Sequence, residues 1–224
     1  MKKIISMTNA GQIPMMKNMI NSADSVGIPM DLFEVYIFNK IDKASAFWTM
    51  DFFNITRRKL VLIKDVVSGM NDGDIVMWVD NDIVFFENPI QNLLGYNADF
   101  VMQDDLFTEC TGFWTIRKSS NTVALLGKAI EFMDNNRNEK MHDQTAFHSV
   151  LHKTMHSCTL SILPRDEYPV GDVYFKHNID KTKSRILHNN FLFTADEKVE
   201  RFKANNLWNP SDDGFNKVKV LYIQ

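Results

Sequence analysis

Cysteine is scarce: the 224 residues hold only Cys110 and Cys158, too few and too far apart for a disulfide framework or a zinc motif. Both lie near apolar, strand-like segments, the setting of a free thiol packed as a small hydrophobe. No apolar run is long enough to span a bilayer, and polar residues break the opening Met1-Lys2-Lys3-Ile4-Ile5-Ser6-Met7-Thr8-Asn9 too soon for a signal peptide. The expectation is a soluble, cytoplasmic chain with no membrane span. Excess positive charge is missing too: a formal net charge of -3 offers no basic field to a phosphate polymer, so nucleic acid is not an expected partner. Also absent are a Gly-rich phosphate loop, a Gly-x-Ser-x-Gly elbow, a Cys-His nucleophile pattern, repeats and low-complexity linkers.

What is present suffices for one sizeable core. With 45% apolar residues the chain reads as a single domain over 1–224, its thirteen methionines serving as core filler. Strands are predicted over 3–7, 32–38, 74–79, 98–103, 112–117, 159–163 and 185–187. Thr8-Asn9-Ala10-Gly11 reads as the turn after the first strand. The next segment sets Ile13, Met16, Ile20 and Ala23 on one helical face and stops near Gly27-Ile28-Pro29. Thr56 is the expected cap of a second helix, with Leu60, Ile63 and Val67 inward and Gly69 as its stop. That start puts Arg57, Arg58 and Lys59 in the first turn, against the helix dipole, where they either face an anion or form a solvated basic turn. A short helix opens at Asn88-Pro89 and longer ones cover 121–135 and 143–152. Strands and helices alternate first; the second half is less regular.

Ile75-Val76-Met77-Trp78-Val79 is an unbroken apolar run that suits a strand buried on both faces, and it ends in Asp80-Asn81-Asp82. In parallel sheets ligands bind beyond the carboxyl ends of strands. Two carboxylates at such an end repel each other unless a divalent cation takes up their charge, and Mg²⁺ or Mn²⁺ accepts oxygens from acids and from a diphosphate together. In isolation the same residues also suit a solvated acidic turn. His188, after Arg185-Ile186-Leu187 and before Asn189-Asn190, is a candidate third ligand or a structural histidine; imidazole is acceptable to Mn²⁺ and poorer for Mg²⁺. Asp143-Gln144 open a helix, where an acid also satisfies the dipole. Gln103-Asp104-Asp105 end another apolar strand, so acids converge from two strand ends. His148, His152 and His156, spaced four apart, could share a helical face and bind zinc, but no acid sits among them and Met155-His156-Ser157 falls past the expected helix end.

Taken in order, Arg58-Lys59-Leu60, the stretch from Gly73 through Asp80-Asn81-Asp82 to Asn88-Pro89, Gly112-Phe113, Asp143-Gln144-Thr145-Ala146-Phe147, Leu163-Pro164 and His188-Asn189-Asn190 resemble the nucleotide-diphospho-sugar transferases. The resemblance runs from about Lys3 to Asn190. It implies an α/β, GT-A (Rossmann-like) fold: a mixed, mainly parallel sheet with helices on both faces, a nucleotide-binding half about 1–105 and an acceptor and sugar half about 106–224. It further implies that Asp80, Asp82 and His188 hold Mn²⁺ or Mg²⁺ on the diphosphate. Thr8, Asn9, Lys59, Asn81 and Asn189 would bind the nucleotide-sugar, and Asp143 and Gln144 would flank the reacting anomeric carbon. Where some retaining relatives carry Asn-Ala-Gly, this chain has Cys110-Thr111-Gly112, so one expected sugar contact is missing or replaced. Eukaryotic members often carry an anchor and stem, which leads to the expectation of a minimal soluble form or an excised domain.

The expected activity is metal-dependent transfer of a hexose or pentose from a nucleoside diphosphate, UDP foremost, to a hydroxyl of a glycan or glycoprotein acceptor. Two rivals fit less of the chain. A haloacid-dehalogenase-like phosphatase would use Asp80 as nucleophile and Asp82 as acid, but Asp104-Asp105 come too soon after the motif and two strands precede it. A sugar-binding module could stack rings on Trp114 and Trp208, yet it leaves the three candidate ligands unexplained.

Overall fold

The computed structural model describes residues 1–38, 49–139, 141–154 and 157–223. Its strands are β1 (Lys3–Asn9), β2 (Phe33–Phe38), β3 (Ile75–Val79), β4 (Ile83–Phe85), β5 (Phe100–Asp104), β6 (Glu109–Arg117), β7 (Leu160–Ile162), β8 (Ile186–His188) and β9 (Lys219–Ile223). Its helices are α1 (Ile13–Ser25), α2 (Met50–Ser68), α3 (Ile90–Leu94), α4 (Ser120–Asn135), α5 (Asp143–Thr154), α6 (Gly171–Lys176) and α7 (Ala195–Ala204). The large sheet has the order β7-β5-β6-β3-β1-β2-β9, and β4 pairs with β8 in a small antiparallel sheet. Every strand of the large sheet points the same way except β6, which is antiparallel to both β3 and β5. This is the mixed, mainly parallel sheet expected from the sequence.

Burial on both faces explains the uninterrupted apolar strands. Met77 and Val79 of β3 face a core containing Met16, Met19, Ile20 and Ala23 of α1, while Val76 and Trp78 face one built from α2, α4 and α5. Helices therefore cover both sides. Hydroxyl caps set several helix starts: Thr49 accepts from the Phe52 amide, and Ser119 and Thr194 each form a capping box. Cys110 and Cys158 are free, buried thiols. Among the described residues no helix is long and apolar enough to cross a membrane.

The second helix corrects the sequence reading. It begins at Met50, capped by Thr49, and Thr56 lies inside it with its hydroxyl donating to the Phe53 carbonyl. The inward stripe is Phe53, Thr56, Lys59, Leu60, Ile63 and Val67, so two polar residues at core-facing positions hid the first part of the periodicity. Arg57, Arg58 and Lys59 are thus in mid-helix, and the dipole argument lapses; Arg57 instead holds Asp134 on α4. Strand β1 also runs on through Thr8 and Asn9, expected as a turn, and β6 begins at Glu109, three residues ahead of expectation. Elements β4, α6, α7 and β9 went unread.

Candidate active site

The carboxyl ends of β1, β3 and β5, together with the first residues of the reversed β6, meet at one edge of the large sheet. Here a cavity of about 520 Å³ opens, within the usual size of a small-molecule site. Asp80 follows β3 directly; its amide donates to the Gly112 carbonyl at 2.7 Å and its carboxylate accepts from Trp78 Nε1 at 2.6 Å. Asp82 precedes β4 and is buried. One of its oxygens faces His188 Nε2 at 3.3 Å and the other accepts from Lys198 Nζ at 2.6 Å. The pairing of β4 with β8 sets His188 opposite Ile83, which brings it to Asp82 from more than a hundred residues away.

The tautomer of His188 follows from its neighbours. The Gln103 amide NH₂ donates to the Tyr168 carbonyl at 2.9 Å, so Gln103 Oε1 faces His188 Nδ1, also at 2.9 Å, and must accept. The proton sits on Nδ1. Burial works against a charged ring, but Asp82 outweighs it and favours a proton on Nε2 as well; loss of that proton would leave the lone pair that a metal needs, with the ring oriented by Gln103 as metal-bound imidazoles are by a second residue. Asp80, Asp82 and His188 each offer a donor atom within 4.8 Å of the others. Two carboxylates and an imidazole suit Mn²⁺ and fit the cation expected from the sequence.

Lysines balance the acids. Lys59, buried in α2, lies 3.1 Å from Asp80 and 2.9 Å from Asp143. Burial disfavours its charge, but the two carboxylates more than compensate and raise its pKa. Burial likewise works against an ionised Asp143, and Lys59 and His142 reverse that, holding its carboxyl well below the usual range. Thr111 adds a 2.8 Å hydrogen bond to the same oxygen of Asp143 that Lys59 contacts. Asp82 is also buried and is also held low, by Lys198 and His188. Asp80 goes the other way: burial, with Asp82 adding to it, outweighs Lys59 and raises its pKa.

Asp80, Asn81, Asp82, Lys59, Asp143, Gln144 and His188 all line the cavity. Thr8 and Asn9 are buried behind that lining; Asn81 Nδ2 lies 3.4 Å from the Thr8 hydroxyl and 3.0 Å from Gln12 Oε1. Asn189 turns away from it, its amide donating to the Lys198 carbonyl and accepting from Arg201 Nε. Asn190 takes the place in the lining. The two acids ending β5 also part: Asp104 pairs with Arg165, whereas Asp105 faces the cavity and holds Gln144 and Asn190. Lys198 was not foreseen. Its only sequence signal is the capping pattern Thr194-x-x-Glu197, which marks the start of α7.

Gly112 shows how tight the assembly is. A Cβ there would lie 2.2 Å from His188 Cε1 and 3.0 Å from Asp80 Oδ2, so only glycine lets β6 pass this close.

Acidic strand ends, an oriented imidazole and flanking lysines surround one cavity, and together they could hold a cation and an anionic ligand. Residues 20–202 match the nucleotide-diphospho-sugar transferase family, and the chain belongs to it. Relatives include UDP-D-xylose:L-fucose alpha-1,3-D-xylosyltransferase 3 of Arabidopsis thaliana, 27% identical over 194 residues that cover 74% of this chain and 50% of the relative. Another is the UDP-galactose:fucoside alpha-3-galactosyltransferase of Dictyostelium discoideum, 26% identical over 77% of this chain and 30% of the relative. The chain spans about half the length of the plant relative and less of the other. The fold is also that of the galactosyltransferase LgtC, solved with donor and acceptor sugar analogs, at TM-score 0.56 and 11% identity over 96% of this chain and all of that one. A glycosyltransferase involved in glycosylation of the major capsid of PBCV-1 aligns at TM-score 0.63 and 9% identity, covering 90% of this chain and 98% of that one.

Proposed function

We propose that the protein transfers a sugar from a UDP-linked donor to a hydroxyl of a glycan or glycoprotein acceptor, with a divalent cation held by Asp80, Asp82 and His188. The observation that carries the reading is the convergence of those three donor groups at 4.8 Å or less in the cavity of a chain from this family. When bound, Mn²⁺ would supply positive charge to the departing diphosphate. Lys198 and Lys59 add to that field from opposite sides, each already fixed on a carboxylate before any ligand enters. The names of the relatives, which specify UDP-xylose and UDP-galactose donors, support UDP as the nucleotide.

Asp143 and Gln144 open α5 beside the cation cluster and would face the sugar. A carboxyl held as low as that of Asp143 is a poor proton acceptor at neutral pH, since a general base works best with a pKa near the operating pH. Its negative charge is instead suited to an oxocarbenium-like centre, in keeping with retention at the anomeric carbon. Lys59 and Thr111 keep that carboxylate ionised and aimed. Asn81, between the two acids in the sequence and in the cavity lining, would reach the ribose or phosphate.

A panel of nucleotide sugars incubated with Mn²⁺, with released nucleotide as readout, tests the class and the base together. Release of UDP from one donor that stops with EDTA is the expected result. No release from any donor, with or without a glycan acceptor, would overturn the reading.

A further inference from the structure

We infer that Glu109, His148 and His152 form a second metal site, suited to Zn²⁺ over Mg²⁺ or Ca²⁺, on the surface where α5 crosses the start of β6. His148 and His152 are one helical turn apart and project from the same face of α5, their ring centroids 4.3 Å apart. Glu109 lies beneath them, with Oε2 2.6 Å from His148 Nδ1 and Oε1 2.8 Å from His152 Nε2. The acid that the sequence lacks among its histidines comes from a strand some forty residues earlier. His156, the third of that series, lies outside the described residues.

The donor set is chemically selective. All three donor atoms lie within 4.8 Å of one another, and a tetrahedral ion with ligands at about 2.0–2.1 Å would gather them with little movement. Two imidazoles and one carboxylate favour Zn²⁺ over Mg²⁺ or Ca²⁺, which prefer oxygen-rich sets. Access is open: the side chains of His148 and His152 are 38% and 44% exposed, whereas Glu109 is buried to 10% and fixed by the sheet. Three protein ligands leave a fourth position for water. An ion here would join α5, whose first residues are Asp143 and Gln144, to β6 two residues before Thr111, the hydroxyl that holds Asp143. Its role would be a clamp on the element carrying those residues, distinct from the cation cluster in the cavity.

Calorimetric titration of Zn²⁺ into the double variant Asp80→Asn/Asp82→Asn, which disables the cavity cluster, isolates this site. One Zn²⁺ per chain is expected, with Mg²⁺ giving no comparable binding. Adding His148→Ala or His152→Ala should weaken Zn²⁺ about ten-fold or more, since even residues that only support a ligand carry effects of that size. Zn²⁺ should also raise Tm in the Asp80→Asn/Asp82→Asn protein and not once both histidines are removed. Should circular dichroism show that a histidine variant has lost its fold, Glu109→Gln, of equal size, replaces it and should weaken Zn²⁺ likewise. No Zn²⁺ binding in the Asp80→Asn/Asp82→Asn protein, or binding untouched by loss of either histidine and of Glu109, would overturn the inference. A failure of the sugar-transfer reading would leave these results unchanged.

Discussion

Asp80 and Asp82 are one residue apart, yet they belong to two differently built walls of one cavity. The first wall is Asp80, Trp78, Lys59 and Asp143, carried by β3, α2 and α5 around a lysine shared by two acids. The second is Asp82, His188 and Lys198, carried by the small β4–β8 sheet and α7, and here one acid has two cationic partners. The charge balance differs accordingly. At Asp80 burial outweighs Lys59 and the pKa rises; at Asp82 burial is outweighed by Lys198 and His188 and the pKa falls. A cation between them would meet the Asp80 carboxylate on one side and, on the other, Asp82 Oδ1, the oxygen that faces His188, while Oδ2 stays on Lys198.

Removing either acid tests the comparison most severely. Asp80→Ala or Asp82→Ala should abolish transfer, and EDTA should do the same, with Mn²⁺ restoring activity to the unmodified protein only. Full turnover in EDTA would remove the cation from both walls. Asp143→Asn should lower turnover by roughly two to four powers of ten while UDP and Mn²⁺ bind nearly as before, the scale of a positioned acid-base or electrostatic group. An equal loss of nucleotide affinity would move Asp143 from the sugar to the phosphate side.

Gly112→Ala strikes both walls at once, because its Cβ would press on His188 and Asp80 together. Mn²⁺-dependent UDP binding measured by calorimetry should weaken by about ten-fold or more; unchanged affinity would mean that β6 moves aside freely. Lys198→Met acts on the second wall alone. It strips a charged hydrogen bond from the buried Asp82, worth about 1.5–3 kcal/mol, so thermal stability should drop without metal and recover in Mn²⁺. Recovery for Asp80-side variants but not for this one would reverse the assignment of the walls.

A further test lies outside both walls, at Glu34 on β2. Burial opposes its charge, but hydrogen bonds from Lys219, Lys3 and Tyr36 bring its pKa down to about 2 from 4.5. A depressed folded pKa stabilises above the unfolded value, so this contribution is complete above pH 4.5 and fades as pH falls toward 2. In Glu34→Gln that part of the acid-side slope should vanish from pH-dependent melting curves. A slope that persists unchanged would assign it to other acids whose pKa values the fold lowers, such as Asp82, Glu109 and Asp134.

The first wall was legible because its parts speak locally. An apolar run ending in Asp80-Asn81-Asp82 predicts a buried strand and an acidic end, and Asp143-Gln144 mark a helix start. The second wall was half legible: His188 stands at the end of a short apolar run, but nothing near it points to Lys198. That lysine lies in a helix of low apolar content with Phe202 as its buried anchor, so no periodic stripe announces which face turns inward. Asn189 and Asn190 show the same limit. Adjacent in sequence and identical in type, they face opposite ways, and only the packing of α7 against β8 decides which of them meets the cavity. Lys59 misled in the other direction, since its charge disguised an inward position that the buried acids make tolerable.

Strand β6 runs against both its neighbours, and this sets its first residues at the edge where the other strands end. Because it enters at the edge where the other strands finish, the hairpin at 105–108 is delivered to the mouth of the cavity, with Asp105 holding Gln144 and Phe107 projecting 83% exposed. A register shift between Met102 and Gln103 separates the pairing beside that turn from the pairing deeper in the sheet. The pairing of Trp114 with Trp78, beside the end of β3, lies on the far side of that shift from the turn. The turn therefore touches the site through Gln144, which Asp105 and Thr108 hold, and not through the acids at the end of β3.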